Sequence, residues 1–149
     1  MIGNGFIIVL AALLIACRTT PAAICDESAA ERSSDEENME QAFEHLKGCE
    51  FDSDASADAL VNLLFLFSML EVFESEEESA RRSYPIIVRA ARMGNQLALR
   101  ELALAHTHGV REIELPSSAK IAACLTDVSA HVKEGGTNVA TEVDQCLAL

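Results

Sequence analysis

The chain has 149 residues, half of them hydrophobic, with no Trp and only 5% aromatics. That length suggests one domain once any targeting segment is removed, and a composition rich in Ala and Leu points to close-packed helices and away from a sandwich or barrel. The formal net charge is −13, and no Asp, Glu, Lys or Arg precedes Arg18, so all of it falls on residues 17–149. Such a surface repels nucleic acid and anionic headgroups, suits a basic protein partner, and keeps a small domain dispersed.

Residues 6–17 form an apolar run that ends Leu14-Ile15-Ala16-Cys17. It is about half the length a helix needs to span a bilayer, and it fits the apolar region of a signal peptide. Its end resembles the lipobox of bacterial lipoproteins, with Ala16 as the small residue and Cys17 as the cysteine. The resemblance implies a signal peptide over 1–16, cleavage before Cys17, and diacylglycerol on its sulfur. Arg18, where an Asp would retain a lipoprotein at the inner membrane, implies the outer membrane, facing the periplasm. The first five residues carry no Lys or Arg, which departs from the usual signal-peptide pattern.

With Cys17 assigned to lipid, Cys25, Cys49, Cys124 and Cys146 remain. Four Cys in an oxidising compartment fit two disulfides, with three possible connectivities. The favoured one is Cys25–Cys49 with Cys124–Cys146, each closing one end of the chain and each worth roughly 3 kcal/mol if unstrained. No pair has Cys-x-x-Cys spacing, so no metal site is expected.

Residues 17–33, short of large apolar side chains, read as an acidic tether. A helical domain over 34–149 follows. Its first helix is predicted to open on a capping box of Ser34 and Glu37, with an apolar stripe of Met39, Phe43 and Leu46, and to end at Gly48. Residues 50–54 are an acidic loop, lacking the Gly and the late Glu of a calcium loop. A helix from about 57 to 73 is apolar nearly all round between 60 and 67, hence buried on several sides, and too short to span a membrane. Ser75 and Glu78 open a helix to about Met93, with a kink or split expected at Pro85. Gly94 ends it, Asn95 caps the next to about His108, and Gly109 terminates that one. Ser117, after Pro116, opens a helix to about Lys133. Gly135 and Gly136 break the chain, and Thr137 caps a last helix reaching Leu147.

A 39-residue shift lays Ala59 on Ala98, Leu63 on Leu102, Ser79 on Ser118, Ala80 on Ala119 and Ala91 on Ala130. Two units, about 55–93 and 94–132, are expected to stack as antiparallel helix pairs. Residues 90–119 resemble the Sel-like repeats, relatives of the tetratricopeptide repeats. Ala90-Ala91, Gly94, Ala98, Leu102, Gly109 and Ala119 carry the likeness, while Ala55 stands where the upstream unit would have its turn Gly. The resemblance implies an all-α fold, a short α-solenoid of about two repeats with flanking helices, that binds proteins on a concave face or groove and has no cofactor.

Chemistry is sparse. The carboxylates lie mostly in runs, which usually form solvated faces or helix first turns. His106 and His108 fall near a helix C-terminus, where the dipole favours charged His. No phosphate loop or nucleophile elbow occurs, and no catalytic or metal-ligating residue is nominated. The expected activity is binding: a periplasm-facing lipoprotein that holds another protein, concretely an immunity or inhibitor protein against a secreted toxic effector, or else an adaptor of a secretion or envelope-assembly machine. The expected contact residues are Glu71, Glu74, Glu76, Glu77 and Glu78, with Arg111 and Glu112 in the matching loop of the second unit.

Overall fold

The computed structural model describes residues 23–35, 38–133 and 135–149. Cys17 and the apolar run before it lie outside them. The described residues form seven helices: α1 (Glu27–Asp35), α2 (Met39–Leu46), α3 (Ala57–Met69), α4 (Glu76–Arg92), α5 (Gln96–His108), α6 (Ala119–Lys133) and α7 (Val139–Leu147). Among them there is no strand, only an isolated bridge between Val110 and Leu115. Each helix packs on the next, and α7 also returns onto α4. The fold is all-α, and the packing of each helix on the next fits the short α-solenoid that the repeat resemblance implies.

Caps set most boundaries. Ser56, Ser75 and Asn95 each accept a hydrogen bond from a backbone N–H three residues on, satisfying first-turn donors of α3, α4 and α5. Gly94 and Gly109 adopt φ of 83° and 74°, where a Cβ is strained. α6 starts one residue later than expected, because Ser118 supplies the capping oxygen to Ile121 N–H. α7 starts at Val139, after Asn138 in the left-handed conformation, with no side-chain cap.

Three expectations give way to tertiary contacts. The predicted tether is helical from Glu27: Asp26 caps Ala29 N–H, and the small residues Ala29, Ala30 and Ala42 are buried where α1 packs against α2. Ser34 therefore lies inside a helix, and Asn38 caps α2. Secondly, α3 stops at Met69, short of Phe73, because Glu71 turns left-handed with φ 48°. The reversal carries Phe73 back onto Phe67, ring centroids 4.7 Å apart. Thirdly, α4 runs through Pro85 without a split. Pro85 costs about 3 kcal/mol in a free helix, but the turns on both sides of it are anchored.

Those anchors are arginines. Arg82 binds both carboxylate oxygens of Glu50 and lies over Phe67 and Phe73, at 5.2 and 5.0 Å from their centroids. The Glu50 hydrogen bond raises the guanidinium pKa further. Arg89, two turns on, donates to the carbonyls of Cys49, Glu50 and Asp52. Between the two, Ile86 is buried.

The cysteines pair as favoured. Cys25–Cys49 joins the approach to α1 with the end of α2, and Cys124–Cys146 joins α6 to α7. The largest fully buried side chains are led by Leu60, Leu63, Leu99, Leu102 and Leu125. The 39-residue register carries this core in part. Ala59 and Ala98 are both buried, as are Leu63 and Leu102, whereas Ala91 is buried and Ala130 exposed.

Arg89→Ala removes donors from three loop carbonyls and is expected to cost about 1–3 kcal/mol. Arg81→Ala, which breaks only the exposed pair with Glu77, is expected to stay within about 0.5 kcal/mol. Chemical denaturation of both variants checks the contrast.

Candidate functional site

The acidic rim is built by the turn from α3 into α4. Glu71 and Glu74 lie in that turn, and Glu76, Glu77 and Glu78 fill the first turn of α4, all of them exposed. Three carboxylates suit that position because the unpaired N–H groups and the helix dipole favour negative charge there. Glu77 pairs with Arg81, and the other four make no ion pair among the described residues. Arg111 and Glu112 lie in a 3-10 turn, Arg111–Ile113, that packs against α4. Arg111 is exposed and reaches only its neighbour Glu112, at 3.9 Å.

The sequence reading missed a second surface, an apolar groove of about 540 Å³ between α5 and α6. Leu99 and Ala103 form its floor, and Leu97 and Leu104 stand at its edge, 48% and 42% exposed. Its charged lining residues are Arg100 and Lys133, and no carboxylate lines it. Neither cation makes an ion pair among the described residues, which sets this groove apart on an acidic molecule. A smaller groove of about 300 Å³ lies where α3, α4 and α5 meet, lined by Val61, Leu64, Phe65 and Ile87 among others. Leu97 lines both, so they form one apolar track.

Half of the smaller groove's lining positions recur in the larger groove at the 39-residue shift. Adding 39 to Val61, Leu64, Phe65 and Ile87 gives Arg100, Ala103, Leu104 and Thr126, all lining the larger groove. The signal that finds this face is the repeat register itself, followed to positions where large apolar residues cannot all reach the core. Exposed apolar tracks of this kind on a folded domain mark contact with another molecule.

The expectation for His106 is corrected. It lies in the last turn of α5, as expected, but it is buried, with Nε2 3.1 Å from the Tyr84 hydroxyl. Its Nδ1 has no hydrogen-bond partner among the described residues. Burial lowers its pKa and raises that of Tyr84, so His106 is neutral near pH 7 and not a dipole-stabilised cation. His108 ends α5 and is exposed. Among the described residues, no group of three or more His, Cys, Asp or Glu is placed to hold a metal ion. None of their helices is long and apolar enough to cross a membrane.

Compared with protein-family models, with curated proteins and with solved structures, the chain matches none.

A buried neutral His makes the fold sensitive to acid. The unfolded chain protonates His106 at its ordinary value, the folded chain only at lower pH. The stability it contributes is therefore complete above about pH 6.5 and is lost as the pH falls below that. Denaturation midpoints measured from pH 8 to pH 5 are expected to fall less steeply for His106→Leu than for the native chain.

Proposed function

We propose that this chain is a lipid-anchored, periplasm-facing protein that binds and neutralises a basic protein, acting as an immunity or inhibitor protein against a secreted toxic effector. The observation that carries the reading is the conjunction of Cys17, at the end of a lipobox-like segment, with a compact helical stack that exposes five carboxylates around the start of α4. The two disulfides support an oxidising compartment. The carboxylates on the first turn of α4 are held by short loops and a capped helix, so they present charge without prior rearrangement. Charge of that kind steers a basic partner and speeds association, at the cost of strong salt dependence.

The apolar track on α3, α5 and α6 favours a second reading, an adaptor in a secretion or envelope-assembly machine. Lasting assemblies bury more apolar surface than charge-steered encounters do. An adjacent effector gene favours the inhibitor, and adjacent machine-component genes favour the adaptor.

Lipid labelling and membrane fractionation test the anchor: Cys17→Ser is expected to lose both the label and the membrane association. Capture from envelope extract at low salt tests the rim. The triple change Glu76→Lys, Glu77→Lys and Glu78→Lys is expected to weaken partner binding by tenfold or more. Unchanged affinity discards the rim, and no captured partner at low salt discards the inhibitor reading.

A further inference from the structure

The two most exposed large apolar side chains among the described residues sit at one corner of the molecule. Phe51 is 83% exposed and Ile24 80%, whereas the next, Phe65, is 55% exposed. Both flank Gly48. The Gly48 backbone lies so close to residues 23 and 24 that a Cβ on it would collide with the Ala23 carbonyl, and Phe51 N–H donates to the Gly48 carbonyl at 3.2 Å. The Cys25–Cys49 bond and the grip of Arg89 on the carbonyls of Cys49, Glu50 and Asp52 hold this corner rigid. Phe51 is thus presented largely to solvent, at the edge of a groove against α4, on a loop tied down by the disulfide and by Arg89.

The same corner is where the chain arrives from Cys17. Ala23 is six residues after Cys17, a reach of about 20 Å at full extension. A lipid on Cys17 therefore keeps this corner within about 20 Å of the membrane surface that holds it. We propose that the corner docks on the bilayer surface, with Ile24 and Phe51 inserted among the headgroups. The inference rests on the lipid anchor proposed above.

Charge narrows the kind of surface. Asp52 and Asp54 lie beside Phe51, and the nearby cations Arg81 and Arg82 are paired with Glu77 and Glu50. The fitting surface is zwitterionic, since an anionic one would be repelled. Two apolar side chains bind a bilayer weakly on their own. The tether changes this by making the second contact intramolecular, at an effective concentration set by its short length. Neither side chain lines either apolar groove, so docking leaves that track open.

The chain has no Trp and one Tyr, so Phe51→Trp introduces a single indole, excited apart from Tyr84 at the red edge, and Phe65→Trp places one on the smaller groove as a control. The full-length acylated variants are reconstituted in phosphatidylethanolamine–phosphatidylcholine vesicles, with and without brominated acyl chains, and floated on a gradient. Circular dichroism confirms that both exposed substitutions keep the helical fold. The indole of the Phe51→Trp variant is expected to shift to the blue and to be quenched several-fold more than that of the Phe65→Trp control. Protein that floats with both indoles quenched equally, or with the control quenched more, overturns the docking and leaves the anchor standing. Protein that does not float overturns the anchor, and the docking with it.

Discussion

Two arginines on one face of α4 tie the loop over residues 49–52, and with it the described residues of α1 and α2, to the rest of the stack. In that loop the Cys49 and Asp52 carbonyls accept turn bonds from the Asp52 and Ala55 N–H groups, each at 3.3 Å, and keep lone pairs for further donors. Arg89 supplies them, and Arg82 closes on the Glu50 carboxylate above the rings of Phe67 and Phe73. Because Cys49 in that loop is bonded to Cys25, the grip extends to the start of α1. The fork of a guanidinium is what allows one side chain to serve several acceptors, and Lys at either place would serve fewer. α4 tolerates Pro85 for the same reason.

Local chemistry made the middle of the chain legible. Ser75 and Asn95 are caps because their side chains reach a backbone N–H three residues ahead, and Gly94 and Gly109 stop helices because they reach φ values that other residues avoid. Where the outcome depends on distant partners, the sequence reading falls short. α1 carries few large apolar residues, and its helix is held by small-residue packing against α2 and by a disulfide. The end of α3 depends on Phe73 finding Phe67, which no local pattern records. His106 looked like a helix-end cation because its burial comes from Tyr84 and the packing around α5, not from its neighbours in sequence.

The candidate surfaces divide in the same way. The acidic rim was readable because runs of Glu are visible in one dimension and three of them fall on a helix start. The apolar track was not, since Phe65, Leu97 and Leu104 look like core residues until the stack shows which helix faces have neighbours. The result is a molecule with two unlike faces. One is dense in carboxylates, of which only Glu77 makes an ion pair among the described residues. The other is apolar and edged by Arg100 and Lys133, cations that pair with none of the carboxylates among the described residues. The first favours fast encounter and the second slow release, since charge acts over a Debye length while apolar contact acts only on touching.

The order of the cysteines has a consequence for how the chain matures. After Cys17, each bonds to the next one along, Cys25 to Cys49 and Cys124 to Cys146, so the two covalent loops are local and do not interlock. A chain that enters an oxidising compartment amino terminus first meets its correct partners in order of arrival. The first bond can close while residues beyond 49 are still in transit, and it is then out of reach of the later pair. With Cys17 taken up by lipid, as proposed above, nearest-in-time oxidation gives the native pairing.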